Sequence, residues 1–245
     1  QDPIAERLAS ALHTEGCGAI VEVGPGKGIL TKFLLKQPLP VVAVELDRDM
    51  IPILEKEFSG TSLRIVQADI LHVRFDDILP ADISFVIAGN FPYNISSQIV
   101  FLGLQLRHRV PFMAGMFQKE MAERICSDPG SKAFGVISVL VQAYYNTSLL
   151  FTVKPGSFAP PPKVQSAVIS LTRYRHEIEG VPYNVLRQVV KMAFSQRRKK
   201  IRNTLKSLIP EETLKELALV DLRPEQLTVD QFIMLARIVA TSPAI

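Results

Sequence analysis

An alternation of short apolar runs with helix-like stretches constrains this sequence more than any other feature. AIVEV (19–23), VVAVE (41–45), LRIVQ (63–67), ISFVIAG (83–89) and FMAGMF (112–117) are near-continuous apolar runs, separated by helically patterned segments such as 28–36 and 48–58. A strand covered by helices on both faces has no solvent side, so it needs no polar alternation. The order therefore predicts a doubly wound α/β sheet of mostly parallel strands. Two later runs, NTSLLFTV (146–153) and SAVISLT (166–172), are separated by only a dozen residues, four of them proline. No crossover helix fits there, which predicts an antiparallel hairpin closing the sheet edge.

After RYRHEIEG the texture changes. Val190, Phe194, Ile201, Leu205 and Leu208, and later Leu227, Phe232, Leu235 and Ile238, recur at helical spacing, punctuated by Pro210 and Pro224. A small all-α domain is expected, with residues 1–175 forming the α/β domain and 176–245 the helical one. At 245 residues and 47% hydrophobic, the chain has enough apolar side chains for both cores. No apolar run approaches the roughly 20 residues that cross a bilayer, and QDPIAERLASALHTEG has no signal-peptide core. A cytoplasmic protein is expected. Cys17 and Cys126 lack metal-site or redox spacing and are expected to be reduced and structural.

Charge is concentrated. KMAFSQRRKKIRNTLK (191–206) holds seven basic side chains and no acid, more than the net +4 of the whole chain. The rest of the chain is net acidic, which marks this segment as a candidate polyanion contact. Its alternative is a solvated amphipathic helix with Phe194, Ile201, Leu205 and Leu208 inward. Arg107, His108, Arg109 and Lys163 are candidates to extend the track.

The first strand runs into VEVGPGKGILT, with Gly24, Gly26 and Gly28 opening a helix. Such a turn lets backbone approach a nucleotide-like ligand at a strand's carboxyl end, or simply makes a tight strand-to-helix connection. The G-x-G-x-G spacing differs from the dinucleotide fingerprint, and Glu22 is expected to place negative charge where a pyrophosphate would be repelled. Glu45 ends the second strand, where a carboxylate can accept both ribose hydroxyls of an adenosine. Asp69 follows the third strand, positioned to accept from an adenine amine. Either acid alone could be a helix cap or a solvated charge; together they describe an adenosine pocket without phosphate chemistry. The fourth strand ends in Asn-Phe-Pro-Tyr (90–93).

Glycine turn, Glu45, Asp69 and Asn-x-Pro-Tyr, in that order, resemble class I S-adenosylmethionine methyltransferases acting on exocyclic amines of bases. More narrowly, VEVGPGKGILT, VAVELDRDM, QADIL, NFPYNISSQIVF, FQKEMAERI, VKPGSFAPPPKVQSAVISL and FSQRRKKIRNTL resemble the KsgA-type small-subunit (16S) ribosomal RNA adenine dimethyltransferases over nearly the whole chain. The resemblance implies a Rossmann-like class I methyltransferase sheet with S-adenosylmethionine as cofactor. It also implies dimethylation of two adjacent adenines in a hairpin near the 3′ end of small-subunit rRNA, and so a role in ribosome biogenesis. The implied partner is the small ribosomal subunit; neither metal nor membrane is expected, and the protein is expected to be monomeric. The family pattern also carries a Gly-Gln-(His/Asn)-Phe-Leu stretch ahead of the Asp-Pro-Ile-Ala helix, which this sequence, beginning at Gln1-Asp2, does not include. Weakened cofactor affinity is the expected consequence.

Gly24, Gly26, Glu45, Asp69 and Asn90 are thus the expected cofactor contacts, and Asn90, Phe91, Pro92, Tyr93 and Phe158 the catalytic group. Adenine's amine is a poor nucleophile because its lone pair is delocalised into the ring. The Asn90 side-chain oxygen and the Phe91 carbonyl, fixed on its hydrogens, would stabilise the charge that develops during methyl arrival. Pro92 restricts Phe91 to extended geometry. Tyr93 offers a stacking face for an extruded base, and the resemblance suggests Phe158 for the other. Arg197, Arg198, Lys199, Lys200, Arg202 and Lys206 are the expected RNA contacts. Rival readings are a large-subunit rRNA methylase of the antibiotic-resistance type, a noncatalytic ribosome-assembly or RNA-binding factor and, more distantly, a nicotinamide-dependent oxidoreductase.

Overall fold

In the structure, a computed structural model describing residues 2–157 and 164–241, the predicted strands all form. They are β1 (Ala19–Val23), β2 (Val41–Glu45), β3 (Arg64–Gln67), β4 (Phe85–Asn90), β5 (Phe112–Gln118), β6 (Tyr145–Val153) and β7 (Ser166–Arg173). One seven-stranded sheet has the order β3-β2-β1-β4-β5-β7-β6. β1 pairs in parallel with β2 and β4, β2 with β3 and β4 with β5, while β7 runs antiparallel to β5. This is a doubly wound sheet with an antiparallel edge. β1 and β2 are buried along their whole length, as their unbroken apolar character requires. β3 is an edge strand, and its Arg64 and Gln67 are exposed.

Helix α1 (Asp2–Ser10) precedes β1, and α2 (Thr31–Leu34), α3 (Ile51–Glu57), α4 (Phe75–Ile78), α5 (Ser96–Gln105) and α6 (Lys119–Ile125) lie between successive strands. Pro52 sits in the first turn of α3, where its missing N–H costs nothing. On one side of the sheet, Ala5, Leu8, Phe33 and Leu34 share a core cluster with Ile20, Val86 and Phe112. None of the described helices is long and apolar enough to cross a membrane. Neither Cys17 nor Cys126 forms a disulfide among the described residues.

Contacts divide the chain into two compact units. The first comprises Gln1–Ala122 with Thr147–Arg173, and the second Glu123–Asn146 with Tyr174–Ile245. The helical unit is thus larger than the expected 176–245, because Glu123–Asn146 clusters with it. Those residues include α7 (Val136–Gln142), which packs on α8 (Tyr183–Phe194) and α11 (Val229–Thr241). Phe194 stacks on Phe232 at 5.7 Å between ring centres and tilts against Phe134 at 6.5 Å.

The basic segment is not one helix. α8 ends at Phe194, and α9 covers only Ile201–Thr204 before α10 (Glu211–Glu216). The Ile201 and Arg202 N–H groups donate to the Leu222 and Val220 carbonyls, at 2.9 and 3.1 Å. Bonds to another segment replace intrahelical ones, so the helical periodicity of the side chains does not become a continuous helix.

Candidate active site at the strand ends

Because β1 to β4 are parallel, their carboxyl ends share one edge of the sheet. Val23 pairs with Val44 and Glu45 with Gln67, while β4 extends alongside β1 to Asn90. Chain order reverses at β1, between β2 and β4, and such switch points are where open α/β sheets bind ligands.

The glycine turn fills this position. Gly24 and Gly26 have φ values of +63° and +55°, which residues with a Cβ rarely adopt. Nothing lies within 4 Å of where a Gly26 side chain would start, whereas one on Gly24 would point at the Pro92 ring, 3.8 Å away. The glycine turn and the Asn-Phe-Pro-Tyr turn are therefore neighbours.

Glu45 is 7% exposed. Its Oε2 accepts the Gly26 N–H at 3.0 Å and its Oε1 the Asp47 N–H at 2.9 Å. The carboxylate is oriented by backbone yet keeps lone pairs for a ligand. Asp69 is similarly held: Oδ1 accepts the Leu71 N–H at 2.9 Å, and Oδ2 lies 2.7 Å from His72 Nδ1. The Leu71 N–H above all, and then His72, hold this carboxyl below the usual carboxylate range.

Glu22 requires a correction. It is 1% exposed and accepts the Thr31 hydroxyl at 2.7 Å. Burial pushes its carboxyl up to about 8, against the lowering effect of the Thr31 bond and with a further rise from Glu45. At neutral pH it is largely protonated, so it does not supply the negative charge expected from its position in sequence.

At the end of β4, Asn90 is exposed, and its amide has no partner among the described residues. The Phe91 N–H donates to the Met116 carbonyl at 3.2 Å, anchoring the turn to β5. The Phe91 ring is 1% exposed and meets Phe117 edge-on at 5.0 Å. It lies over Gly89 and Gly115, paired across β4 and β5, where a side chain on either would overlap it. Glycine in a strand marks such close approach. This cradle, with Thr31, Asp47 and His72, is the part of the site that sequence reading missed; the glycines of IAGNF and MAGMF were its only signal. Tyr93 is half-buried, and its hydroxyl is 2.5 Å from Ser166 Oγ. Ser96 Oγ donates to the Tyr93 carbonyl at 3.1 Å. Phe158 and Lys163 lie outside the described residues.

The expected RNA-contacting cations separate into two groups. Arg197 Nη2 donates to the Lys132 carbonyl at 2.7 Å and the Ser131 carbonyl at 3.4 Å, and its Nε lies 3.9 Å from Glu225 Oε2. Lys200 and Arg202 both reach Asp221 Oδ1 at 3.0 Å. Arg198, Lys199 and Lys206 are exposed and have no carboxylate partner among the described residues. Arg109 is committed internally to Asp76, Pro80 and Ile83.

A protein family described as ribosomal RNA adenine dimethylase matches residues 4–240. "Ribosomal RNA small subunit methyltransferase A" of Flavobacterium johnsoniae is 43% identical over 236 residues, covering 96% of this chain and 90% of that protein. A dimethyladenosine transferase from Plasmodium falciparum shares the fold with a TM-score of 0.82 at 23% identity, covering 96% of this chain and 94% of that one. The 23S rRNA methyltransferase ErmE shares it with a TM-score of 0.73 at 24% identity, covering 97% and 98%.

Proposed function

This chain belongs to the ribosomal RNA adenine dimethylase family, and from that premise we propose that it dimethylates the exocyclic amines of two adjacent adenines in a hairpin near the 3′ end of small-subunit rRNA. The observation that carries the reading is the exposed Asn90 amide at the end of β4, unpartnered among the described residues, in a turn whose Pro92 lies beside Gly24. The 43% likeness to a small-subunit methyltransferase extends over 90% of that protein's length. The 24% likeness to the 23S enzyme speaks for fold alone.

The site residues fit S-adenosylmethionine, which supplies a methyl group on a sulfonium. Gly24 and Gly26 leave backbone open to the cofactor, Glu45 receives the ribose hydroxyls through its remaining lone pairs, and Asp69 accepts from the cofactor's adenine amine. Asn90 Oδ1 and the Phe91 oxygen accept the two hydrogens of the target amine. They hold its nitrogen toward the donor and stabilise the positive charge that grows there, and a proton is then lost to solvent. Pro92 sets the direction of the Phe91 carbonyl before substrate arrives. Tyr93, tethered through its hydroxyl, presents a ring for an unstacked base. These contacts need no catalytic base.

Transfer of labelled methyl groups from S-adenosylmethionine to undermethylated small ribosomal subunits, followed by nucleoside analysis, tests the reading. Dimethyladenosine in small-subunit rRNA is expected. Its absence there, or its appearance only in large-subunit rRNA, would overturn it.

A further inference from the structure

We infer that the outer face of α8, centred on Arg187 and Lys191, is a binding surface for the sugar–phosphate backbone of the RNA substrate, extending the 191–206 segment that the sequence singles out back along the helix through Arg187 to Asn184. The inference rests on the RNA-methylating reading above.

Leu186, Val189, Val190 and Ala193 turn one side of α8 into the helical core. The opposite side, Asn184, Arg187, Gln188, Lys191, Met192 and Ser195, lines an open concavity of about 370 Å³. These positions recur at spacings of three and four, so they form one continuous stripe along the helix. Five of the six side chains can donate hydrogen bonds, and none is a carboxylate. α8 contains no acidic residue at all.

Arg187 and Lys191 are exposed and lie one turn apart, about 6 Å along the axis. Like charges at this spacing repel each other. Among the described residues neither cation has a carboxylate within ion-pair distance, so nothing internal relieves that repulsion. A bound anion would.

A second concavity makes the contrast. There Arg202, Lys206 and Lys215 share the lining with Glu211 and Asp221. Arg202 pairs with Asp221 at 3.0 Å and Lys215 with Glu211 at 2.7 Å. A polyanion approaching that surface meets carboxylates that already hold two of its three cations. On α8 it meets five donors and no carboxylate. Cations to neutralise phosphates, interleaved with Asn, Gln and Ser that bond phosphate and ribose oxygens, suit a nucleic-acid strand and carry no base-reading geometry.

The test measures binding of the full chain to undermethylated small ribosomal subunits across a KCl series. The double variant Arg187→Gln/Lys191→Gln is expected to bind ~10-fold more weakly near 0.1 M salt, and to lose roughly 1.4–1.8 from the slope of log affinity against log salt, the value for two phosphate contacts. Arg187→Lys/Lys191→Arg is expected to retain affinity and slope, because phosphates read charge here. Thermal melting of each variant controls for folding. Unchanged affinity and slope in the Gln double variant overturn the α8 surface while leaving the RNA reading intact. Failure of the wild-type chain to bind small subunits at any salt overturns both. Competition by polyglutamate as effective as by single-stranded RNA of equal charge overturns the assignment to RNA.

Discussion

The Glu45 carboxylate accepts the Gly26 N–H at 3.0 Å, tying the end of β2 to a turn 19 residues earlier in the sequence. With the Asp47 N–H on the other oxygen at 2.9 Å, both halves of the carboxylate face backbone donors. Glu45→Gln would turn an NH₂ group toward one of them. The expected cost is about 1–3 kcal/mol of stability, together with a loss of affinity for S-adenosylhomocysteine of ~10-fold or more. Thermal melts and calorimetric titration read the two effects separately.

Gly115→Ala introduces a side chain that overlaps the Phe91 ring. Overpacking of this kind costs about 1–3 kcal/mol, and a displaced ring disturbs the turn that carries Asn90 and the Phe91 carbonyl. Methyl transfer should therefore fall further than cofactor affinity. Trimming the ring in Gly115→Ala/Phe91→Leu should recover part of the stability. Additive losses, measured by urea unfolding, would contradict the cradle.

Glu22 makes stability depend on pH. Its folded carboxyl titrates near 8, against an ordinary value of 4.5. Below pH 4.5 it is protonated in folded and unfolded chains alike, and no penalty arises. Between pH 4.5 and 8 the unfolded chain ionises first, so this group's contribution falls as pH rises and levels off above 8. The full loss is on the order of 5 kcal/mol. Glu22→Gln should flatten that part of the profile between pH 5 and 8 in denaturant titrations, because its amide stays neutral throughout.

Adjacent arginines should behave differently. Arg197→Ala removes donors to the Lys132 and Ser131 carbonyls and is expected to cost about 1–2 kcal/mol of stability. Arg198→Ala, which removes an exposed side chain, should leave unfolding within about 0.5 kcal/mol of wild type yet weaken binding to small ribosomal subunits. Urea titration and subunit binding of the pair distinguish a clamp from a phosphate contact.

Much of the fold is legible in local patterning because central parallel strands carry unbroken apolar runs, and β1 and β2 match AIVEV and VVAVE residue for residue. Glu45 and Asn90 could be found because each closes a strand, and Asp69 because it follows one by two residues. What local sequence could not show depends on tertiary partners. The protonation of Glu22 follows from burial beside Thr31, and the break between Phe194 and Ile201 from backbone bonds to Val220 and Leu222. The place of Glu123–Asn146 with the helical unit follows from packing between segments distant in sequence. The Gly89–Gly115 cradle needs the β4–β5 register, which no single segment encodes.

On the proposed reading, Asn90 and the Phe91 carbonyl hold an adenine amine for methylation. The most direct measurement is mass spectrometry of nuclease fragments from undermethylated small-subunit rRNA after incubation of the subunits with S-adenosylmethionine and either the wild-type chain or Asn90→Ala. The wild type should leave two dimethyladenosines in one fragment. Asn90→Ala, altered at an exposed side chain, should still bind subunits but transfer roughly 10²–10³-fold more slowly at saturating cofactor. Wild-type rates from Asn90→Ala, or dimethylated adenines that are not adjacent, would contradict the account.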